Sequence, residues 1–317
     1  MHSALSLIAL AAVALMGFAN QRGSTCTVAA IDQIVSERRF DQLIALCQVS
    51  LWVGGGLVLL NALGLLPAVP VGYAAGAATI AGGALFGVGA FVNRACVLGS
   101  IARLGSGDWT YLAALPGFYL GTLTTSRLPR PARLTEGALV LRSPAWLVCV
   151  IAALLLVGLF VHAWRLRRSG GAMLERIWTP YTATSVIGLT FLVATLILGR
   201  WTYIDFLSDL ACGVTQRTAP KLMFSVALLL GAVVGGWTEK RLKWVKPDMI
   251  SVARRLVGGA LMGAGSALIP GGNDALVLVG MPLLWSYAWL AFASICITIS
   301  VATVITRVAK VYTPTPP

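Results

Sequence analysis

The chain has 317 residues, 58% of them hydrophobic and only 11% charged, and its net charge is +13. A water-soluble domain carries roughly a quarter of its residues as charges, so this composition excludes a soluble globular protein and points to a membrane protein. The basic excess does not signal nucleic acid, because it is concentrated in connectors between apolar runs, where cytoplasmic loops and anionic lipid headgroups favour it.

A membrane-spanning helix needs about 20 mainly apolar residues. In chain order, spans are expected near 3–20, 42–65, 71–92, 109–125, 144–164, 180–199, 218–237, 255–269 and 284–306, about nine in all. The first lacks a charged leader and a small-residue cleavage pattern, and it reads as a span rather than a signal peptide. Shorter apolar pieces near 24–35, 95–104, 204–214 and 274–282 cannot cross alone. They suit half-helices buried in protein or lining a cavity. The fold class is therefore all-α and polytopic, with re-entrant half-helices.

Three connectors are basic: Arg127, Arg130, Arg133 and Arg142; Arg165, Arg167, Arg168 and Arg176; and Lys240, Arg241, Lys243, Lys246, Arg254 and Arg255. The first two flank a single span and fall on opposite sides, so orientation rests on Arg307 and Lys310, which favour a cytoplasmic C-terminus.

Two polar breaks carry the candidate chemistry. In "GFANQRGSTCTVAA" the first span gives way to Arg22 and then Cys26; in "GGALFGVGAFVNRACVLGS" the third gives way to Asn93, Arg94 and Cys96. An arginine at such depth needs a cavity or a partner. Arg22 and Arg94 either satisfy freed carbonyls and snorkel to headgroups or make an electropositive vestibule for anions. Cys26 and Cys96 each begin a short helix, where unpaired N–H groups attract anions. A neutral thiol there is a weak donor, and either thiol is alternatively a small apolar filler. Cys47, Cys149 and Cys296 lie inside apolar runs and read as packing; Cys212 sits nearer a break. None of the six cysteines has metal-ligand spacing. In "PGGND", the amides of Gly271, Gly272 and Asn273 can form an anion nest. Asp274 reads as a helix N-cap or a proton carrier.

An internal repeat runs through these features. Residues 82–89 read GGALFGVG and residues 258–265 read GGALMGAG, an offset of 176 with six of eight positions identical. The chain is expected to comprise two related halves, about 1–126 and 180–310, joined by residues 127–179 with one extra span, as a single transmembrane transport domain. With about four crossings per half plus the linker span, the halves are inverted. The glycines serve close helix packing, backbone approach to a solute, or both.

The motifs "GFANQRGSTCTVAA", "GGALFGVGAFVNRACVLGS" and "GGALMGAGSALIPGGN" together resemble the sulphur-transport family of bacterial membrane proteins, the YeeE/YedE group. The resemblance implies a thiosulfate permease of the bacterial inner membrane, hourglass-shaped, with thiosulfate passed along by thiols at its centre. By motif position it assigns Cys26 and Cys96 to the path. The third cysteine it implies belongs where this chain has Gly272. A different inorganic anion thus remains an alternative substrate, and a membrane sulfur carrier forming a cysteine persulfide an alternative function. No enzyme, cofactor or nucleotide-binding motif is expected. The partners implied are a small inorganic anion, the lipid bilayer and a soluble sulfur-handling protein.

Overall fold

The computed structural model describes residues 2–66, 72–127, 131–134, 137–168, 178–199, 201–214, 218–239, 242 and 245–312. Arg130, Arg176, Lys240, Arg241 and Lys243 of the basic connectors lie outside them. Thirteen α-helices follow one another: α1 His2–Gly23, α2 Thr27–Glu37, α3 Asp41–Ala62, α4 Ala77–Asn93, α5 Val97–Gly105, α6 Ala114–Thr125, α7 Ala145–Arg168, α8 Pro180–Leu198, α9 Tyr203–Ala211, α10 Thr218–Thr238, α11 Met249–Leu268, α12 Gly272–Ala275 and α13 Ser286–Tyr312.

The burial pattern is that of a protein in lipid. Leu7, Leu154, Phe160 and Ile297 are more than 60% exposed, while Asn20, Gln21, Arg22, Asn93, Asn273 and Asp274 are at most 3% exposed. Apolar side chains out and polar ones in is the arrangement a bilayer favours, because hydrocarbon cannot satisfy polar groups.

Among the described residues six segments are long and apolar enough to span a bilayer: Ala4–Glu37, Asp41–Ala62, Ala77–Gly105, Pro180–Ile197, Thr218–Thr238 and Ser286–Ala309. A seventh arises if α11 and Gly272–Gly280, bent by 46° at the Ile269–Gly271 break, count as one. The roughly nine expected spans thus come down to six or seven among the described residues: α7 occupies the expected span at 144–164, but its apolar part, Ala145–Val161, is shorter than the others. The expected span at 109–125 is shorter than its hydropathy suggests. Asp108 accepts from the Thr110 amide at 3.2 Å and opens a 3-10 turn, Trp109–Ala113, before the twelve residues of α6.

Glycines set the closest helix approaches. Helices α4 and α11 pack antiparallel: a methyl group on Gly89 would fall 2.7 Å from the Gly258 carbonyl oxygen, and one on Gly265 would fall 2.7 Å from the Gly82 carbonyl oxygen. Helix α1 packs on α8 and α10, α3 on α8, α6 on α11, and α13 on α4. Shifted by 176 positions, α1 to α5 fall within a few residues of α8, α9, α10, α11 and α12 with the π turn Leu276–Gly280, and α6 falls inside the longer α13. The half-helices expected near 24–35, 95–104, 204–214 and 274–282 are α2, α5, α9, and α12 with that π turn.

Candidate functional site

Each polar break is a helix stop followed at once by a helix start. At the first, Ser24 adopts φ 48° and Cys26 is the extended N-cap of α2. At the second, Arg94 adopts φ 60°, ends α4 by donating its amide to the Ala90 and Phe91 carbonyls, and is followed by Cys96 as the N-cap of α5. Neither cysteine side chain caps its own helix. Instead the two thiols meet: their Sγ atoms lie 3.6 Å apart. The Cys96 amide points to Cys26 Sγ at 3.5 Å, and the Thr27 amide to Cys96 Sγ at 3.4 Å. Two helix N-termini thus converge on one thiol pair, which concentrates N–H groups and partial positive charge there.

Side-chain amides hold the breaks in register. Asn20 donates to the Leu98 carbonyl at 2.8 Å, tying the end of α1 to α5. Asn93 donates to the Ala95 carbonyl at 2.8 Å and to Ser100 Oγ at 2.9 Å. The carbonyl freed at Asn93 is taken by Arg255 of α11, whose guanidinium also stacks over the Tyr111 ring at 3.9 Å. Gly99 is required beside the pair, because a Cβ there would run into Cys26 Sγ.

A cavity of about 1090 Å³ leads to Cys26. Four arginines line it, Arg94, Arg103, Arg254 and Arg307, with one carboxylate, Asp32. Asp32 is engaged: Arg307 donates to it at 2.7 Å. Arg94, Arg103 and Arg254 have no carboxylate partner among the described residues. The arrangement can draw a small anion toward the thiols through its positive field.

The structure separates the residues expected from sequence. Cys26 and Arg94 line the cavity, and Cys96 lies directly behind Cys26, wholly buried. Arg22 is elsewhere: it is 1% exposed, donates to Thr238 Oγ1 at 2.7 Å and stacks on Phe18. Gly271, Gly272 and Asn273 form the turn below the pair, reached through Asn273, which donates to Thr27 Oγ1 at 3.2 Å. Thr27, Asn20 and Arg103 were not singled out in the sequence, and only the amide-rich break beside the first two hints at them. Arg254 and Arg307 are visible there only as part of basic segments. Cys47, Cys149, Cys212 and Cys296 form no disulfide and are not among the residues lining the cavity.

A bundle of spanning helices interrupted at mid-chain, with a cavity narrowing onto two half-helix starts, defines a membrane transporter. The family model described as "Sulphur transport" matches residues 22–301, and the chain belongs to that family. A curated relative, "Thiosulfate transporter TsuA" of Escherichia coli (strain K12), is 27% identical over 344 residues, which cover 88% of this chain and 92% of the relative. The protein is thus a multi-pass membrane transporter of a sulfur-containing anion, and its family places it with transporters rather than enzymes.

Proposed function

We propose that the transported anion is thiosulfate, and that it passes through a neck made by the Cys26 and Cys96 thiols and the N-termini of α2 and α5. The observation that carries this reading is the 3.6 Å thiol pair at the foot of an arginine-lined cavity. Arginines gather the dianion; neutral S–H groups and helix amides then replace part of its hydration. Weak donors suit the narrowest point, because a solute held too well does not leave. The name of the E. coli relative supports the same substrate.

The reading includes two inverted halves, residues 1–126 and 180–310. Three facts support it: the 176-residue recurrence of every helix except α7, the matching of packing pairs (α1 with α10 against α8 with α3; α4 with α13 against α11 with α6), and the antiparallel α4–α11 seam. In that seam Gly82 meets the counterpart of Gly89, and Gly89 the counterpart of Gly82. Such self-complementary antiparallel packing belongs to a two-fold axis perpendicular to the helices, hence in the membrane plane.

The test is uptake of labelled thiosulfate into proteoliposomes, with sulfate and selenite as competitors. Wild-type protein accumulates label, and Cys96→Ala abolishes it. Full uptake by a well-folded Cys96→Ala protein overturns the thiol-lined neck. A sulfur atom retained on Cys26 or Cys96 by mass spectrometry would favour a persulfide carrier instead.

A further inference from the structure

The second half's equivalent of the thiol pair has a different chemistry. Thr202 and Gly272 stand 176 positions after Cys26 and Cys96, so the second half offers no thiol at the positions equivalent to that pair. Thr202 spends its hydroxyl on the Asp205 amide as the N-cap of α9. Gly272 has φ +59°, and the side chain of Ile204 fills the space where a side chain would begin: a Cβ on Gly272 would lie 2.8 Å from Ile204 Cγ2. The amide of Ile204 donates to Asp274 Oδ2 at 3.1 Å. Ile204 is thus an apolar plug seated on the glycine turn, and Asp274 holds the start of its helix.

Asp274 is 2% exposed. Its other oxygen accepts from the Ala275 amide at 2.8 Å, and no ion pair reaches it among the described residues. The titratable groups facing it are Tyr203 and Asp205 on α9. The two arginines of α11 lie near the opposite end of that helix: Arg255 is engaged with Asn93 and Tyr111, and Arg254 lines the arginine cavity. A buried carboxylate with no cation beside it is costly as an anion, and it repels a dianion arriving from the thiols. Its neighbour Asn273 hydrogen-bonds Thr27, whose amide meets Cys96 Sγ, so turn and thiol pair are mechanically joined.

We propose that Asp274 is the proton-binding site of the transport cycle. As a carboxylate it holds Ile204 over Gly272 and closes the path beyond the thiols. On taking one proton from water at one membrane face it gives up the Ile204 amide, loses its charge and lets the anion pass. The proton is then released to water at the other face, so anion and proton cross together. This rests on the thiol-lined neck proposed above.

Proteoliposomes holding a pH-sensitive dye test it. Added thiosulfate should acidify the lumen in step with label uptake, and the rate should rise up to about tenfold per unit of external acidification, the slope of a one-proton step. Asp274→Asn and Ile204→Ala should each flatten that pH profile, and Asp274→Asn should carry no proton. Thiosulfate uptake without lumen acidification, or a wild-type pH profile in Asp274→Asn, overturns the proposal while leaving the neck intact. A direct readout needs neither transport nor a folded Asp274→Asn variant. Infrared difference spectra of the reconstituted wild type, acid minus alkaline, should show a protonated-carboxyl band that shifts in Asp274→Glu. No such band overturns the proton site even if thiosulfate proves not to be the substrate.

Discussion

Arg22 and Arg94 have similar sequence surroundings, each at the end of an apolar run before a short helix, yet they do different things. Arg22 lies within the last turn of α1 and is carried onto α10, where Thr238 receives it. Arg94 sits in the left-handed residue that ends α4, and that turn swings its side chain out into the cavity. Backbone handedness at one position decides the difference, and no composition or spacing encodes it. The pairing of Cys26 with Cys96 was legible as two matched helix starts; that their sulfurs touch was not, because they are 70 residues apart. Gly272 yields a prediction at this scale. Placing a cysteine there would force a side chain onto a backbone at φ +59° and against Ile204. The first costs about 1–3 kcal/mol and the second a further ~1–3 kcal/mol of overpacking. Gly272→Cys should therefore lower the midpoint of thermal unfolding followed by tryptophan fluorescence. Adding Ile204→Ala should recover part of the loss, a non-additivity that contact predicts. An unaltered midpoint in Gly272→Cys would remove Ile204 as the plug.

Among the elements, the breaks were easier to read than the spans. A glycine-rich apolar run ending in Asn, Arg or Pro marks a helix stop chemically, and α4 and α11 end, and α5 and α12 begin, within a few residues of those marks. Hydropathy alone overextends where capping intervenes. The run at 109–125 is uncharged and mainly apolar, but Asp108 commits the chain to a 3-10 turn and leaves α6 with twelve residues. The repeated GGAL-x-G-x-G motif is a packing device in this architecture: helices in lipid gain little from the hydrophobic effect and depend on close van der Waals contact. Gly89→Leu should therefore part α4 from α11, since its Cβ alone would lie 2.6 Å from the Met262 amide nitrogen. Fluorescence-detected size exclusion should show a loss of the monodisperse peak, with an overpacking cost of about 3 kcal/mol or more. Gly76→Ala, where nothing lies within 4 Å of the added methyl, should elute as wild type. Equal behaviour of the two variants would mean the seam is not closely packed.

At the scale of the whole molecule, charge placement and the position of the cavity act together. The net charge of +13 says little until it is located. Three arginines without carboxylate partners stand on one cavity that ends at a thiol, while the Arg307–Asp32 pair at the rim is largely exposed and adds little to stability. A field from several like charges in a low-dielectric funnel raises the local concentration of a dianion more steeply than that of a monoanion, since the interaction scales with the product of charges. Screening works against it: the Debye length falls from about 30 Å at 0.01 M salt to about 3 Å at 1 M. Initial uptake at low substrate should therefore drop on the order of tenfold across that range, and the drop should shrink in Arg103→Gln and Arg254→Gln. At saturating substrate the same variants should reach the wild-type maximal rate, because the arginines concentrate the anion while the neck sets its passage. A maximal rate that falls with the charge would move those arginines from the funnel into the neck itself. A salt-insensitive rate would mean that the cavity, for all its guanidinium groups, is not the way in.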